Sequence, residues 1–381
     1  MNQSVYLDYA ATSPMHPKVI DEMSKAMRSH FGNASSTHQY GRLSRGLLDE
    51  ARIVFAKSIQ AKPNEILMTS GGTESDNTAI LKTAEKFGTK KRHIITTNVE
   101  HQAVLKPMEY LEALGYEVTY LPVNEEGFVT ADQVEQALRE DTFLVSIMFG
   151  NNEVGTVMPI ADIGQLLKDK EQSILFHTDA VQAYGSKAID VNQLNVDLLS
   201  VSAHKIGGPK GIGFLYCREG LSLPSLILGG EQETKRRAGT ENIPAVVGFK
   251  TAVELMLRDQ AQRVQNYLKL KARLLNQLEK FDIAYKINGN LEKSLPQIIS
   301  LHLTGVDAER MLIKLDLSGI AVSAGSACTA GNIDPSHVLT AMYGEKHPAI
   351  SETIRISMGF ETKEQDIDRI VTVLDKEINK H

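Results

Sequence analysis

The chain has 381 residues, 42% of them hydrophobic and 23% charged, which is ordinary for a globular protein and too long for one compact core, so two domains are expected. A formal net charge of -6 removes any electrostatic ground for non-specific nucleic-acid binding. With only Cys217 and Cys328 as cysteines, no charged leader ahead of an apolar core near Met1, and no stretch approaching a membrane span, the expectation is a cytoplasmic protein without disulfides or a membrane anchor.

In chain order, 17–30 and 40–61 read as helices. A strand pattern over 65–70 then leads into a helix beginning near Thr73. Further strands are expected at 93–97, 117–123, 143–149 and 174–178, separated by helices near 103–114, 131–139 and 160–170. Several of these strands are continuously apolar rather than alternating, the pattern of strands covered on both faces. The alternation predicts an α/β domain built on a mostly parallel sheet. Apolar runs at 196–201 and 211–216 flank Gly207-Gly208-Pro209-Lys210-Gly211, a tight turn. A long helical pattern over 244–281 would bridge the domains. Beyond it, 297–303, 307–317, 320–323, 334–342, 352–357 and 363–379 predict a small α+β domain. The expected division is a large domain over 16–250 and a small one from 1–15 and 260–381.

Three places carry chemistry. Ser70-Gly71-Gly72-Thr73-Glu74-Ser75 places two glycines and a hydroxyl at a helix start, which fits an anion site and an ordinary capped helix equally well. Asp179 ends an apolar strand, where sheet ligands bind, although a lone aspartate there is more often a helix cap. Lys205 lies between an apolar strand and a glycine-rich turn, a poor place for a solvated charge. A lysine that loses its proton in a partly desolvated site forms a Schiff base with an aldehyde. Pyridoxal phosphate needs such a lysine, an acidic partner for its pyridine nitrogen and an anion site for its phosphate. Lys205, Asp179 and the Gly72–Thr73 helix start supply the three together.

A fourth place is Cys328, set among small residues in SAGSACTAG at 323–331. That setting predicts an accessible, mobile nucleophile. Cys217, in GIGFLYC, reads as a core residue. Two distant cysteines and scattered histidines lack metal-ligand spacing, so no metal site is expected.

These segments form an ordered set: YLDYAATSPM at 6–15, FGNASSTH at 31–38, TSGGTESDN at 69–77, EH at 100–101, GNNEVGT at 150–156, HTDAVQA at 177–183, SAHKIGGPKGIG at 202–213, RRAGTEN at 236–242, SAGSACTAG at 323–331 and TIRIS at 353–357. Over nearly its whole length the chain resembles the NifS/IscS-type cysteine desulfurases. The resemblance implies an α/β protein of fold-type I, with a large pyridoxal-phosphate-binding domain around a mostly parallel, mixed seven-stranded sheet and a small α+β domain. It implies conversion of L-cysteine to L-alanine, with the sulfur passing to Cys328 as a persulfide. From there it would pass to an acceptor protein, a tRNA thiouridylase or an iron–sulfur scaffold.

Residue by residue, the resemblance implies that Lys205 holds the cofactor and moves a proton, and that His101 stacks on the pyridine ring. Asp179 would pair with the ring nitrogen, and Gln182 and Asn152 would lie near the phenolic oxygen. Gly72, Thr73, Ser202 and His204 would bind the phosphate. Thr240 would reach the phosphate of a neighbouring subunit, which implies a homodimer. Arg355 would hold the substrate carboxylate with its paired donors, and Asn33 would assist near the substrate. Without the resemblance, His101 would pass for a buried hydrogen-bonding group and Arg355 for half of a surface salt bridge. An aminotransferase or selenocysteine lyase of the same fold would share Lys205 and Asp179 but has no need of Cys328. A non-catalytic partner protein that kept the fold would need none of these residues.

Overall fold

The computed structural model describes residues 4–88, 90–170, 173–324 and 335–379. The chain opens with a short strand, β1 (Val5–Tyr6), and two helices, α1 (Pro17–Ser29) and α2 (Gln39–Ser58). Each helix starts on a histidine whose ring accepts a backbone amide, His16 from Lys18 and His38 from Gly41. That satisfies one of the donors left over at a helix start. Strand and helix then alternate through β2 (Ile66–Thr69), α3 (Gly72–Phe87), β3 (His93–Thr97), α4 (Gln102–Ala113), β4 (Glu117–Leu121), α5 (Ala131–Ala137), β5 (Thr142–Ser146), α6 (Ile160–Lys168), β6 (Leu175–Asp179), β7 (Leu198–Ser202) and β8 (Gly213–Cys217).

These strands form one seven-stranded sheet in the order β2-β8-β7-β6-β5-β3-β4. Every residue of β3, β5, β7 and β8 is buried, because helices cover both faces. β8 runs antiparallel to both β7 and β2, and the other pairs are parallel. So β2 points the same way as β3 to β7, and their carboxyl ends share one edge. That edge is where open sheets of this kind bind ligands. The glycine-rich turn at 207–211 joins β7 and β8. The strand expected over 143–149 is β5, and it ends at Ser146. Two residues on, the Met148 amide leaves the ladder for the Glu100 carboxylate, at 3.0 and 3.1 Å from its two oxygens.

The long helix α7 (Ile243–Lys280) has 38 residues, about 57 Å at 1.5 Å per residue. Its first part sets Ile243, Val246, Phe249 and Val253 into the core beneath the large sheet. There Phe55, Phe214 and Phe249 form a cluster, with Phe249 and Phe55 centroids 5.8 and 5.6 Å from Phe214 and 4.4 Å from each other. Its last part sets Leu270, Leu274 and Leu278, four residues apart, into a second core. That core is completed by β9 (Tyr285–Ile287), β10 (Ile298–Leu303), α8 (Ala308–Leu317), β11 (Ile320–Ala321), β12 (Thr353–Ser357) and α11 (Glu364–Ile378), whereas α9 (His337–Tyr343) sends Val338, Leu339 and Met342 into the first core and Ile350 of α10 (Ala349–Glu352) packs there too. β9 and α10 had no counterpart among the expected elements.

The second sheet has the order β12-β10-β9, antiparallel throughout. β1 pairs in parallel with β11, and Val5 and Leu7 belong to the second core. The following residues lie along β12, with the Ser357 amide donating to Leu7 O at 2.8 Å and the Ala10 amide to Ser357 Oγ at 2.9 Å. Residues 8–13 therefore run between β12 and the carboxyl edge of the large sheet.

Candidate active site

A cavity of about 360 Å³ lies at that edge, within the range of small-molecule sites. Of the residues singled out from the sequence, Gly72, Thr73, His101, Asn152, Asp179, Gln182, Ser202, His204, Lys205 and Arg355 line it. They arrive from the ends of β2, β3, β6 and β7, the loop after β5, and β12.

The end at α3 is built for close approach. Gly71 has φ of +150°, a conformation that side-chain-bearing residues rarely adopt. A Cβ on Gly72 would lie 2.7 Å from Val181 Cγ2, so the backbone sits directly against the turn after β6. Ser202 Oγ stands 3.7 Å from the position a Cβ would take on Gly71. His204 shares a hydrogen with Thr12 Oγ1 at 3.0 Å. Burial, aided by the charge of Lys205, pushes its pKa down to about 4, so it is a neutral hydrogen-bonding group. A helix start, two hydroxyl residues and this imidazole make a donor-rich, uncharged cradle that suits a phosphate.

Lys205 closes the short turn after β7. Its Nζ donates to Ala10 O and, at 3.0 Å, to Ala11 O. Burial first, then the charge of Arg355, lowers its pKa to about 8, while Asp179 and Asp8 pull the other way. At neutral pH roughly a tenth of the side chain is then the free amine, against well under a thousandth for an ordinary lysine. Gln182 Nε2 donates to the same Ala10 carbonyl at 2.8 Å.

Asp179 accepts the Val181 amide at 2.8 Å. Burial raises its pKa, while His101, that amide and Lys205 favour the ionised form. His101 caps α4, its Nδ1 accepting the Ala103 amide at 3.1 Å. An amide only donates, so the neutral ring carries its proton on Nε2. Burial holds the His101 pKa below the ordinary value, with Asp179 opposing. The pocket thus sets a partly neutral lysine, a buried carboxyl and a neutral imidazole around one space, with an anion cradle at its end. These donors fit pyridoxal phosphate, which needs a free amine, an acidic ring partner and a phosphate site.

Arg355 is only 2% exposed, unlike the surface ion pair that an alternating TIRIS strand suggests. Its Nη1 donates to Asn152 O at 2.8 Å and its Nη2 to Asp8 Oδ1 at 2.9 Å. The guanidinium ties the second sheet to the loop after β5 and to the amino-terminal segment, and it borders the cavity.

Two expected residues lie elsewhere. Thr240 and Asn33 are exposed and do not line this cavity. Arg237, near Thr240, bonds to Glu74 in the first turn of α3 at 3.0 Å. Cys328 and its neighbours 325–334 lie outside the described residues. Cys217 is buried, and burial pushes its pKa up to about 11, the inert state expected of a core thiol.

In and around the cavity are groups not singled out before. Asp76 and His337 line it, and Asp8 pairs with Arg355. Glu100 is buried beside His101, accepts Met148 N and Thr97 Oγ1, and is raised by burial to about 8. Asp8, Asp76 and Glu100 fall inside the quoted segments YLDYAATSPM, TSGGTESDN and EH, which was the available signal.

Comparison with known proteins gives the same picture along the chain. The aminotransferase class-V family model matches residues 5–370. The IscS 1 protein of Bacillus subtilis is 51% identical over 357 residues, covering 94% of each chain. A cysteine desulfurase IscS of Dictyoglomus turgidum is 45% identical over 380 residues, covering 100% of this chain and 96% of the relative. Among solved structures, a NifS-like protein superposes with a TM-score of 0.93 at 36% identity, covering all of both chains.

Proposed function

Since the chain belongs to the class-V aminotransferase family, among its cysteine desulfurases of the NifS/IscS type, we propose that it takes sulfur from L-cysteine onto its own Cys328 and leaves L-alanine. Enzymes of this family use pyridoxal phosphate, which supplies an electron sink that labilises bonds around the substrate α-carbon. The observation that carries the reading is the convergence of Lys205, Asp179, His101 and the α3 helix start on one cavity.

In this reading Lys205 would hold the cofactor through its partly neutral amine and would carry the substrate α-proton. Asp179 would pair with the ring nitrogen, and His101 would stack on the ring. Gln182 and Asn152 lie near the phenolic oxygen. Gly72, Thr73, Ser202 and His204 take the phosphate. Arg355 would meet the substrate carboxylate; Asn33, away from this cavity, has no part in it. The sulfur step balances without an outside oxidant. The Cys328 thiolate forms a bond to the substrate sulfur, the carbon–sulfur bond breaks, and its electron pair and a proton end on the carbon that becomes the alanine methyl. The enzyme is left as a persulfide.

The active unit in this reading is a homodimer. Thr240 supports that, being exposed and away from its own cavity, on a segment tied by Arg237 to the helix start at the cavity of the same chain. The persulfide sulfur would then pass to an acceptor protein, a tRNA thiouridylase or an iron–sulfur scaffold. No described helix is long and apolar enough to cross a membrane, consistent with work in the cytoplasm.

Borohydride fixation followed by peptide mapping tests the site. The cofactor mass should appear on the peptide carrying Lys205, and L-cysteine with a thiol reductant should give alanine and sulfide in equal amounts. Label on another lysine, or transamination without sulfide, would refute the reading.

A further inference from the structure

Asp76 lines the same cavity as Asp179 and has no part in the reading above. It sits one turn into α3, is 1% exposed, and its Oδ1 has no hydrogen-bond partner among the described residues. Asp179 accepts a backbone amide and feels two basic groups, His101 and Lys205. Around Asp76 the company is different. It faces the Ser200 hydroxyl on β7, Asp179 on β6, Glu100 before α4, and the His177 ring on β6, whose Nε2 is 3.5 Å from Oδ1. Burial holds His177 down to about 3, so that ring is neutral and brings no positive charge. Two carboxyls in one dry site do not both ionise at neutral pH. Of the two, Asp76 has fewer partners for a negative charge.

A hydrogen-bonded ladder runs behind Asp76 across three neighbouring strands. Ser146 Oγ on β5 meets His177 Nδ1 at 2.8 Å, and His177 Nε2 meets Ser200 Oγ on β7 at 3.0 Å. A neutral imidazole has one N–H, so the ladder takes one of two polarities. If Asp76 carries a proton, it can donate to Ser200, Ser200 to His177 Nε2, and His177 Nδ1–H to Ser146. If Asp76 is ionised, the donors point the opposite way.

We propose that Asp76 is a positioning residue that stays protonated at neutral pH, so that the single negative charge of the Asp76–Asp179 pair rests on Asp179, against the ring nitrogen of the cofactor. The consequence for the ring rests on Asp179 being its partner; the proton on Asp76 does not.

The test uses the cofactor-loaded enzyme with carbon-13 in its aspartate carboxyls only, so that Glu100 stays unlabelled. Infrared spectra at neutral pH should contain an isotope-shifted carbonyl band of a protonated acid, and Asp76→Asn should remove it. No such band in the wild type, or an undiminished band in the variant, overturns the proposal. In parallel, the pH midpoint of the bound cofactor's absorption change should move by less than about 0.5 unit in Asp76→Asn, since one neutral group replaces another. A larger fall means that a negative charge has been removed beside the ring, and the proposal is wrong. Asp76→Ser gives the same infrared comparison should the asparagine variant not fold. If the protein bound no pyridoxal phosphate, the functional reading would fail while the infrared band still decided the state of Asp76.

Discussion

Replacing Arg355 with lysine keeps the charge and removes the fork, and the outcome can be worked from the geometry. Arg355 is buried, and its two terminal nitrogens are committed in different directions, to Asn152 O at 2.8 Å and to Asp8 Oδ1 at 2.9 Å. A guanidinium has five donors, which lets it hold those contacts and also offer a donor to a carboxylate entering the cavity. An ammonium is a point charge on a flexible stem and cannot meet all three. Loss of one hydrogen bond to a charged group costs about 1.5–3 kcal/mol, which is about a 10- to 150-fold fall in kcat/KM at 1.4 kcal/mol per factor of ten. A contact made equally in the bound substrate and the transition state appears mainly in KM. The assay is the initial rate of alanine formation over a range of L-cysteine, with cofactor absorbance and thermal unfolding as controls for an intact site. A KM within about twofold of the wild type, in a fully loaded and folded variant, would place carboxylate recognition elsewhere.

Other outcomes follow from the same cavity. Lys205→Ala should abolish alanine formation; turnover near the wild-type rate removes Lys205 from the chemistry. Cofactor-free protein should take up pyridoxal phosphate at a rate that rises with pH and levels off above about 8, because only the unprotonated Lys205 amine attacks the aldehyde and burial depresses its pKa. A rate still climbing towards 10.5, the ordinary lysine value, contradicts that electrostatic picture. Asp179→Ala should cost at least about 100-fold in turnover, the scale of one well-placed electrostatic group, and an unchanged rate would leave Asp179 as a helix cap only. Gly72→Ala should weaken cofactor retention at least tenfold, since its Cβ meets Val181 Cγ2 at 2.7 Å. Adding Val181→Ala should restore part of the loss in equilibrium dialysis, and no restoration would mean that the clash is not the cause.

The strands of the large sheet were legible because double coverage writes continuous apolar runs into them, as in FLVS of β5. Their ends were less so. Residues 147–149 are as apolar as β5 itself, and only Glu100, nearly fifty residues earlier in the chain, takes the Met148 amide out of the ladder. β9 is three residues, Tyr285–Ile287, partly exposed and with a lysine at its centre, too short and too polar to stand out before its pairing with β10 is known. Lys205 and Asp179 could be singled out because a lysine or an acid at the end of an apolar strand is locally out of place. Asp76 and Glu100 could not, since their burial is made by distant segments, and neither could Asp8, whose partner Arg355 is 347 residues away. The same holds for Arg355. Its neighbours alternate as in a half-exposed strand, and it is buried because residues 7–10 lie along β12 and Asp8 pairs with it.

The central claim is that sulfur from the substrate lands on Cys328, and mass spectrometry of the intact protein after a single addition of L-cysteine tests it most directly. Cys328→Ala should still bind the cofactor and give its spectral change with cysteine, because neither step uses the thiol. Wild-type protein should gain one sulfur, mapped to the peptide carrying Cys328, and the variant should gain none. Sulfur found on Cys217, or delivered to an acceptor by the Cys328→Ala protein, would contradict the account.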